Sequence, residues 1–326
     1  MTSKKTGGSL QVIRPAYLPM LRIVIFNNSH GWHSKQLEAA LAPQGVAIIR
    51  SNLAQCRIDL DSPSGLHIPG LGGDLPDAAI VRGIAAGSFE QITLRLDVLH
   101  TLAEFGIPVL NTASAIERTV DKARTSLLLR HRRVPTPRAW ACEDLAQARH
   151  LSAQAQREKR ELVLKPLFGC QGQGIIRIGK PADLEACEPT GGLYYLQEFI
   201  RPAQPNIWQD WRVFVIGHRP IAAMVRRGQG WITNVARGAQ YFPAPLEREI
   251  GALACQATQA VAVDYGGVDI IQTPAQGFQV LEVNSIPSWK ALQQTTEVNI
   301  AGALAKNLLE RLHSSYFAHS GSSQKI

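Results

Sequence analysis

Hydrophobic positions fall into short apolar runs separated by amphipathic segments. LRIVIF (Leu21 to Phe26) is a run of strand length, followed by the polar turn NNSHG and a helix-like segment from Ser34 to Leu41. VAIIR (Val46 to Arg50), AAIVR (Ala78 to Arg82) and IPVL (Ile107 to Leu110) read as further strands. Phe89 to Phe105 reads as an amphipathic helix through Ile92, Leu96, Leu99, Leu102 and Ala103. Strands alternating with helices predict a small parallel α/β domain.

A new unit is expected near Asn111. Asp121 to Arg130 is helical in pattern until VPTP (Val134 to Pro137), because proline cannot continue a helix. A helix around Asp144 to Arg157 then leads into the strand ELVLKP, a Gly-rich segment and the strand IIRI. Near Arg201 a third unit begins, where RVFVIGHRPIAAMVRR reads as a hairpin turning at Gly217 and His218. Ile250, Leu253, Ala254, Ala257 and Val261 mark one helix face, and GGVDIIQ and FQVLEVN flank a turn at Thr273 to Gly277.

Composition narrows the class. With 45% hydrophobic and 18% charged residues, a chain of 326 residues can bury a large core, which excludes wholesale disorder. The longest uncharged run, Ile250 to Val263, contains Gln256 and Gln259 and is shorter than the roughly 18 apolar residues of a membrane span. The N-terminal stretch has no apolar h-region, so no signal peptide is expected. The five cysteines are scattered without a CxxC pair, which points away from disulfides or zinc and toward the cytoplasm. A net charge of +8 suits nucleic acid, or equally an enzyme handling nucleotides and carboxylates. No aromatic-interleaved basic stripe is present, so no nucleic-acid partner is expected. No GxGxxG follows Leu21 to Phe26, which disfavours a nicotinamide dehydrogenase.

Four sets of residues carry candidate chemistry. Lys165 opens a loop with Gly169, Gly172 and Gly174 between two predicted strands; backbone N–H groups in such a loop can approach phosphate, although an ordinary Gly-rich hairpin reads the same way. Glu198, beside Phe199, lies within a strand-like run and taken alone reads as a solvated residue. Asp269, Glu282 and Asn284 are hard oxygen donors on neighbouring strands, suited either to Mg²⁺ or to ion pairs with nearby arginines. Asp210, Arg212, Arg226, Arg227, Asn234 and Arg237 complete the polar set.

In order, these pieces resemble the ATP-grasp superfamily and, within it, the RimK-type α-L-glutamate ligases. The resemblance runs from Asn111 to Leu309, through DKARTSLLL, VLKPLFGCQGQGI, LQEFI, DWRVFVIG, TNVARGA, GGVDII and LEVNSIPSW. It implies a mixed α/β chain: two α+β lobes clamping ATP, preceded by a small Rossmann-like parallel α/β domain. The implied division is a flexible tail over 1–20, the N-terminal domain over 21–111 and a small lobe with the Gly-rich loop over 112–200. A large lobe with the metal site follows over 201–312, then a second tail over 313–326.

Residue by residue, Lys122 and Lys165 match the family's phosphate lysines, and Glu198 and Phe199 its adenine hinge. Asp210 matches a ribose-side acid, with Arg212 also assigned to the nucleotide. Asp269, Glu282 and Asn284 match ligands of two Mg²⁺ ions, with Mn²⁺ as an alternative. Arg226 and Asn234 match reaction-centre groups, joined by Arg237. The implied reaction adds L-glutamate to an acceptor carboxylate through an acyl phosphate, releasing ADP and phosphate. Ile232 stands where ribosomal-protein-modifying members carry arginine, so the expected acceptor is a small coenzyme-like molecule, with a tetrahydromethanopterin-type pterin as the example the resemblance implies. A protein C-terminus, or an ATP-binding module without chemistry, are the alternatives. The N-terminal domain is expected to contribute to the acceptor site through Ser29, His30, Trp32, His33 and Arg82, with Trp32 either stacking on a flat ring or packing. No membrane partner is implied, and a homo-oligomer (dimer or tetramer) is expected.

Overall fold

The computed structural model describes residues 20–169, 172–274 and 277–320, with side chains to 314. The expected N-terminal tail lies almost wholly outside these residues. Four strands, β1 (Arg22–Phe26), β2 (Ala47–Ser51), β5 (Ala78–Val81) and β6 (Val109–Leu110), form a parallel sheet in the order β2-β1-β5-β6. A small hairpin, β3 (Arg57–Ile58) with β4 (Leu66–His67), lies in the crossover before β5. Helices α1 (Trp32–Leu41) and α2 (Phe89–Glu104) make the other crossovers. Ser88 starts α2 with a capping box, accepting from the Gln91 N–H while Gln91 accepts from the Ser88 N–H.

Past Asn111 the chain forms α3 (Ala113–Val120) and α4 (Lys122–His131), with Asp121 between them accepting from the Arg124 N–H at 2.9 Å. The next sheet runs β7-β10-β8-β9, from β7 (Ala139–Cys142), β8 (Leu162–Lys165), β9 (Ile176–Ile178) and β10 (Tyr194–Glu198). Helix α5 (Leu145–Arg157) covers one face through Ala148 and Ala155. The largest sheet is antiparallel, in the order β13-β12-β11-β14-β15, from β11 (Trp208–Ile216), β12 (Arg219–Gly228), β13 (Gln240–Ala244), β14 (Tyr265–Thr273) and β15 (Gly277–Asn284). The β11–β12 turn is made by Gly217 and His218, both at positive φ (54° and 58°), as a tight hairpin demands.

Alternation along β11 sends Val213 and Val215 to α6 (Arg248–Val261), and Phe214 and Ile216 to the opposite side. There Phe214, Tyr265 and Trp289 pack with Ile23, Ile25, Leu37 and Leu41 of the N-terminal sheet and α1. Leu304, Leu308 and Leu312 of α8 (Ile300–Ser320) close the same core, and a short α7 (Lys290–Gln293) precedes it. The helix therefore continues through Ser320, into the segment expected to be a tail; residues 321–326 lie outside those described. Its Leu periodicity supplies the packing face, and the serines beyond it extend the same turns. Strands β7 and β13 are not evident from local pattern, because AWAC is short and QYFPA carries a proline.

Three polar residues lock the N-terminal sheet to the large one. Asn111 is fully buried; its amide donates to the carbonyls of Tyr265 (2.8 Å) and Ser285 (2.7 Å) and its oxygen accepts from the Asp264 and Tyr265 N–H groups. Arg82 donates to Tyr265 Oη and the Pro287 carbonyl, with its guanidinium 4.3 Å from the Trp289 ring centroid. His33 Nε2 accepts from the Trp289 N–H at 3.1 Å. Cys56, Cys142, Cys187 and Cys255 are free thiols. No helix among the described residues is long and apolar enough to cross a membrane.

Asn111→Ala strands buried backbone groups and is expected to cost about 2–4 kcal/mol in urea unfolding. Burial, with Arg82 and Lys290 nearby, lowers the His33 pKa from the usual 6.5 to about 4. Protonation thus favours the unfolded chain: the stability His33 contributes is full above about pH 6.5 and is lost as pH falls toward 4. His33→Gln should flatten that part of the stability–pH curve, measured by unfolding midpoint.

Candidate active site

Between the small and large sheets lies a cleft of about 570 Å³. Its large-lobe wall follows from strand register. Arg226 of β12 stands opposite Asp210 of β11, while Arg212 of β11 stands opposite Asp269 of β14, which stands opposite Glu282 of β15. Opposite charges on neighbouring strands therefore meet on one face. Arg212 binds Asp269 with two hydrogen bonds of 2.7 Å, and Arg226 binds Asp210 at 2.7 and 2.6 Å. Arg226 also lies 3.0 Å from Asp269.

Asp210, Arg226 and Asp269 are each at most 4% exposed. Burial would raise the Asp269 pKa, but Arg212 and Arg226 outweigh it and hold the carboxyl well below the usual range. Burial likewise opposes the Arg226 charge, and Asp210 and Asp269 overcome it. Asn284 donates to Glu282 Oε1 at 3.2 Å and to the Gly267 carbonyl.

The small-lobe wall carries the lysines. Lys165, at the end of β8, donates to Gln197 Oε1 at 2.5 Å, and burial lowers its pKa, with Lys122 adding to the shift and Glu282 and Asp269 opposing it. Lys122, the first residue of α4, donates to the carbonyls of Leu167 (3.3 Å) and Gly169 (3.0 Å), holding the Gly-rich loop. Gly172 lines the cleft at φ 68°, where a Cβ would press on Ile232 at 3.2 Å. Gly174 does not line it: a Cβ there would meet Pro166 at 2.8 Å, so this glycine serves the turn. Cys170 and Gln171, between them, lie outside the described residues.

Residues 119–308 match the RimK-like ATP-grasp domain family. The chain belongs to that family. A tetrahydromethanopterin:alpha-L-glutamate ligase of Methanococcus maripaludis is 35% identical over 237 residues, 71% of this chain and 78% of that protein. The protein of the same name from Methanocaldococcus jannaschii is 35% identical over 246 residues, 73% of this chain and 81% of that protein. Among solved structures, the ATP-grasp ligase PsnB complexed with a minimal precursor superposes with a TM-score of 0.68 at 20% identity, over 89% of this chain and 99% of that one. The fold is thus the ATP-grasp fold, and the protein is an ATP-dependent acid–amino-acid ligase of the ADP-forming kind. The family uses ATP and Mg²⁺.

Within this RimK-like cleft the donors Asp269, Glu282 and Asn284 gather on two adjacent strands. Among the described residues no group of three or more His, Cys, Asp or Glu is placed to hold a metal, so the set is two carboxylates and one amide. Such hard oxygens suit Mg²⁺, and a carboxylate has enough lone pairs to keep its arginine as well. Asp210 also lines the cleft, where the resemblance puts a ribose-side acid. Both its oxygens are taken, one by Arg226 and the other by Arg226 and Thr233 (2.7 Å), so it anchors these groups.

Glu198 and Phe199 do line the cleft, and Trp208, Trp231 and Arg177 surround the Phe199 ring. Asn234 lines it too, with its side chain capping a short turn through the Ala236 N–H. Arg237 does not, although its chain passes beside Gly172; Arg227 is exposed against Phe242. Gln197, Trp231 and Thr233 are cleft residues outside the set expected from sequence. Gln197 alone had a signal, a polar side chain one position before Glu198 in an apolar strand.

The N-terminal residues do not reach the cleft. His30 pairs with Glu38, Trp32 packs against the shared core, and Arg82 and His33 act behind the wall. They brace the 285–290 turn, from which Pro287 and Ser288 line the cleft. Lys165→Met removes a charge-assisted contact and is expected to weaken ATP binding by about 1.5–3 kcal/mol, measured by calorimetry. Unchanged affinity would remove Lys165 from the nucleotide site.

Proposed function

We propose that the protein joins L-glutamate by an amide bond to a carboxylate of a small coenzyme-like acceptor, at the cost of ATP. The carrying observation is the facing of two walls: Lys122, Lys165 and the Gly-rich loop against the Asp269, Glu282 and Asn284 oxygens. Kinship with ligases named for tetrahydromethanopterin and glutamate supports this donor and makes a pterin of that type the first acceptor to try.

A carboxylate is a poor electrophile, so it must be activated before an amine can displace oxygen. In the proposed sequence an acceptor carboxylate oxygen bonds to the ATP γ-phosphorus as the bond to ADP breaks. The glutamate amine then attacks the acyl carbon, loses a proton and expels phosphate. Lys122, Lys165 and loop N–H groups would hold the phosphates in line for this transfer. Arg226 commits Nε and one Nη to Asp210, which fixes the guanidinium plane and leaves the other Nη for an oxygen of the transferred group. Asn234, on the same wall, would donate to the developing oxyanion. Asp269, Glu282 and Asn284 would hold the Mg²⁺, taken as two ions, whose contribution is to neutralise charge on the phosphate oxygens. Ile232 leaves the wall beside Gly172 apolar, which fits a small acceptor better than an acidic protein tail.

With ATP, Mg²⁺ and a tetrahydromethanopterin-type acceptor but no amino acid, hydroxylamine is expected to trap a hydroxamate. L-Glutamate, and not D-glutamate, should then raise ADP release. A stable phosphorylated product indifferent to glutamate would make the protein a kinase. Glu282→Gln keeps the shape of the side chain but loses its charge; turnover is expected to fall about a hundredfold or more with the unfolding midpoint little changed. A wild-type rate at saturating Mg²⁺ would show Glu282 to be structural.

A further inference from the structure

A second cleft, of about 650 Å³, opens at the edge of the small sheet where β7 meets α4. Arg130, Arg138 and Arg160 line it and no acidic residue does, although Glu158, just outside, pairs with both Arg138 (3.4 Å) and Arg160. It adjoins a third hollow of about 580 Å³ that shares Arg130 and Thr136 and adds Arg133, again without an acid. Arg130 and Arg133 make no ion pair among the described residues. Arg160 is bound by Glu158 and lies 5.8 Å from the Trp140 ring centroid, yet one of its Nη atoms is buried without a hydrogen-bond partner. That nitrogen lies 3.9 Å from a Glu198 oxygen, close enough for an ion pair but not for a hydrogen bond. Converging guanidinium groups, one of them with an unmet buried N–H, favour an oxyanion that would complete the bonding.

This cleft is wired to the first. Ser126 and Tyr195 line it and bond to each other at 2.8 Å. Gln197 donates to Tyr195 Oη at 3.3 Å, and Lys165 donates to Gln197 at 2.5 Å. Gln197 and Lys165 line the central cleft, so one hydrogen-bonded chain spans both. Burial pushes the Tyr195 phenol up to about 12, which keeps its proton in place as a bonding group at neutral pH.

We propose that the outer cleft binds a small anion of two or more charges, carried on clustered phosphate or carboxylate oxygens, and that Ser126, Tyr195, Gln197 and Lys165 pass its occupancy to the nucleotide cleft. Binding there is independent of the reaction proposed above, whereas the coupling rests on nucleotide occupying the central cleft. Trp140, Leu127 and Pro137 give the site apolar surface, which suits an anion borne on a flat ring.

The test is calorimetry on the full chain with Mg²⁺ and a non-hydrolysable ATP analogue filling the central cleft. Benzene-1,3,5-tricarboxylate and phenyl phosphate serve as the carboxylate and phosphate probes. At least one probe is expected to bind saturably, and which one binds tells the two chemistries apart. The double variant Arg130→Glu, Arg138→Glu should weaken that binding by about tenfold or more while the analogue binds within about twofold of wild type. Binding of neither probe, or equal binding by the variant, would overturn the site. A bound probe should change the analogue's Kd by about threefold or more in the wild type and not in Tyr195→Phe, each measured at probe concentrations that saturate the protein. An analogue Kd that ignores the probe in the wild type would overturn the coupling. Failure of the analogue to bind at all would overturn the nucleotide reading and the coupling together, and probe binding to the free protein would still decide the site.

Discussion

The structure turns on a buried run of alternating charge across the large sheet. Arg226 sits between Asp210 and Asp269, and Asp269 lies between Arg226 and Arg212. Removing any one member would leave an uncompensated charge in a place where water cannot replace it, which is why such sets stand or fall together. Their register also fixes chemistry. Each arginine is immobilised by two hydrogen bonds to a carboxylate, so a nearly rigid wall of paired charges, with one carboxylate in excess, faces the lysines of the other wall. Asp269 stays charged because the arginines offset its burial, and a charged carboxylate is what an incoming cation needs.

The facing wall is built by the opposite means. Where the large sheet holds its groups by charge pairing, the Gly-rich loop has few side chains to pack and is held by Lys122 through two of its carbonyls. A cation at the N-terminal end of α4 thereby positions backbone, while Lys165 on the neighbouring strand keeps its ammonium toward the acids. The loop's closeness to Ile232 and Arg237 at Gly172 brings the two walls together there, so the 231–238 segment and the loop constrain each other.

The N-terminal sheet contributes by bracing. Asn111, Arg82 and His33 all act on the segment that follows Asn284, whose Pro287 and Ser288 form part of the cleft. The small parallel sheet thus meets the cleft through a turn that carries part of its wall.

Local sequence was enough for most helices and strands. Hydrophobic period distinguishes α6 from the strands around it, and Gly217 with His218 announces the hairpin. The chemistry-bearing residues also stood out, because lysine beside clustered glycines and acids within apolar strands are costly unless used. What the order of residues could not settle was partnership. Asp210 read as a ribose-side acid, and that it also anchors Arg226 shows only once β11 pairs with β12. Arg82 read as an acceptor contact and turned inward to Tyr265, about one hundred and eighty residues away in the chain, while of the two readings for Trp32 the packing one holds, against a core that includes Trp289, more than two hundred residues away. Gly174, Thr233, Gln197 and the arginines of the outer cleft likewise acquire their roles from neighbours distant in sequence. A side chain's type is encoded locally and limits what it can do; which charge it meets, and whether water reaches it, depends on strand register and packing that no local window contains.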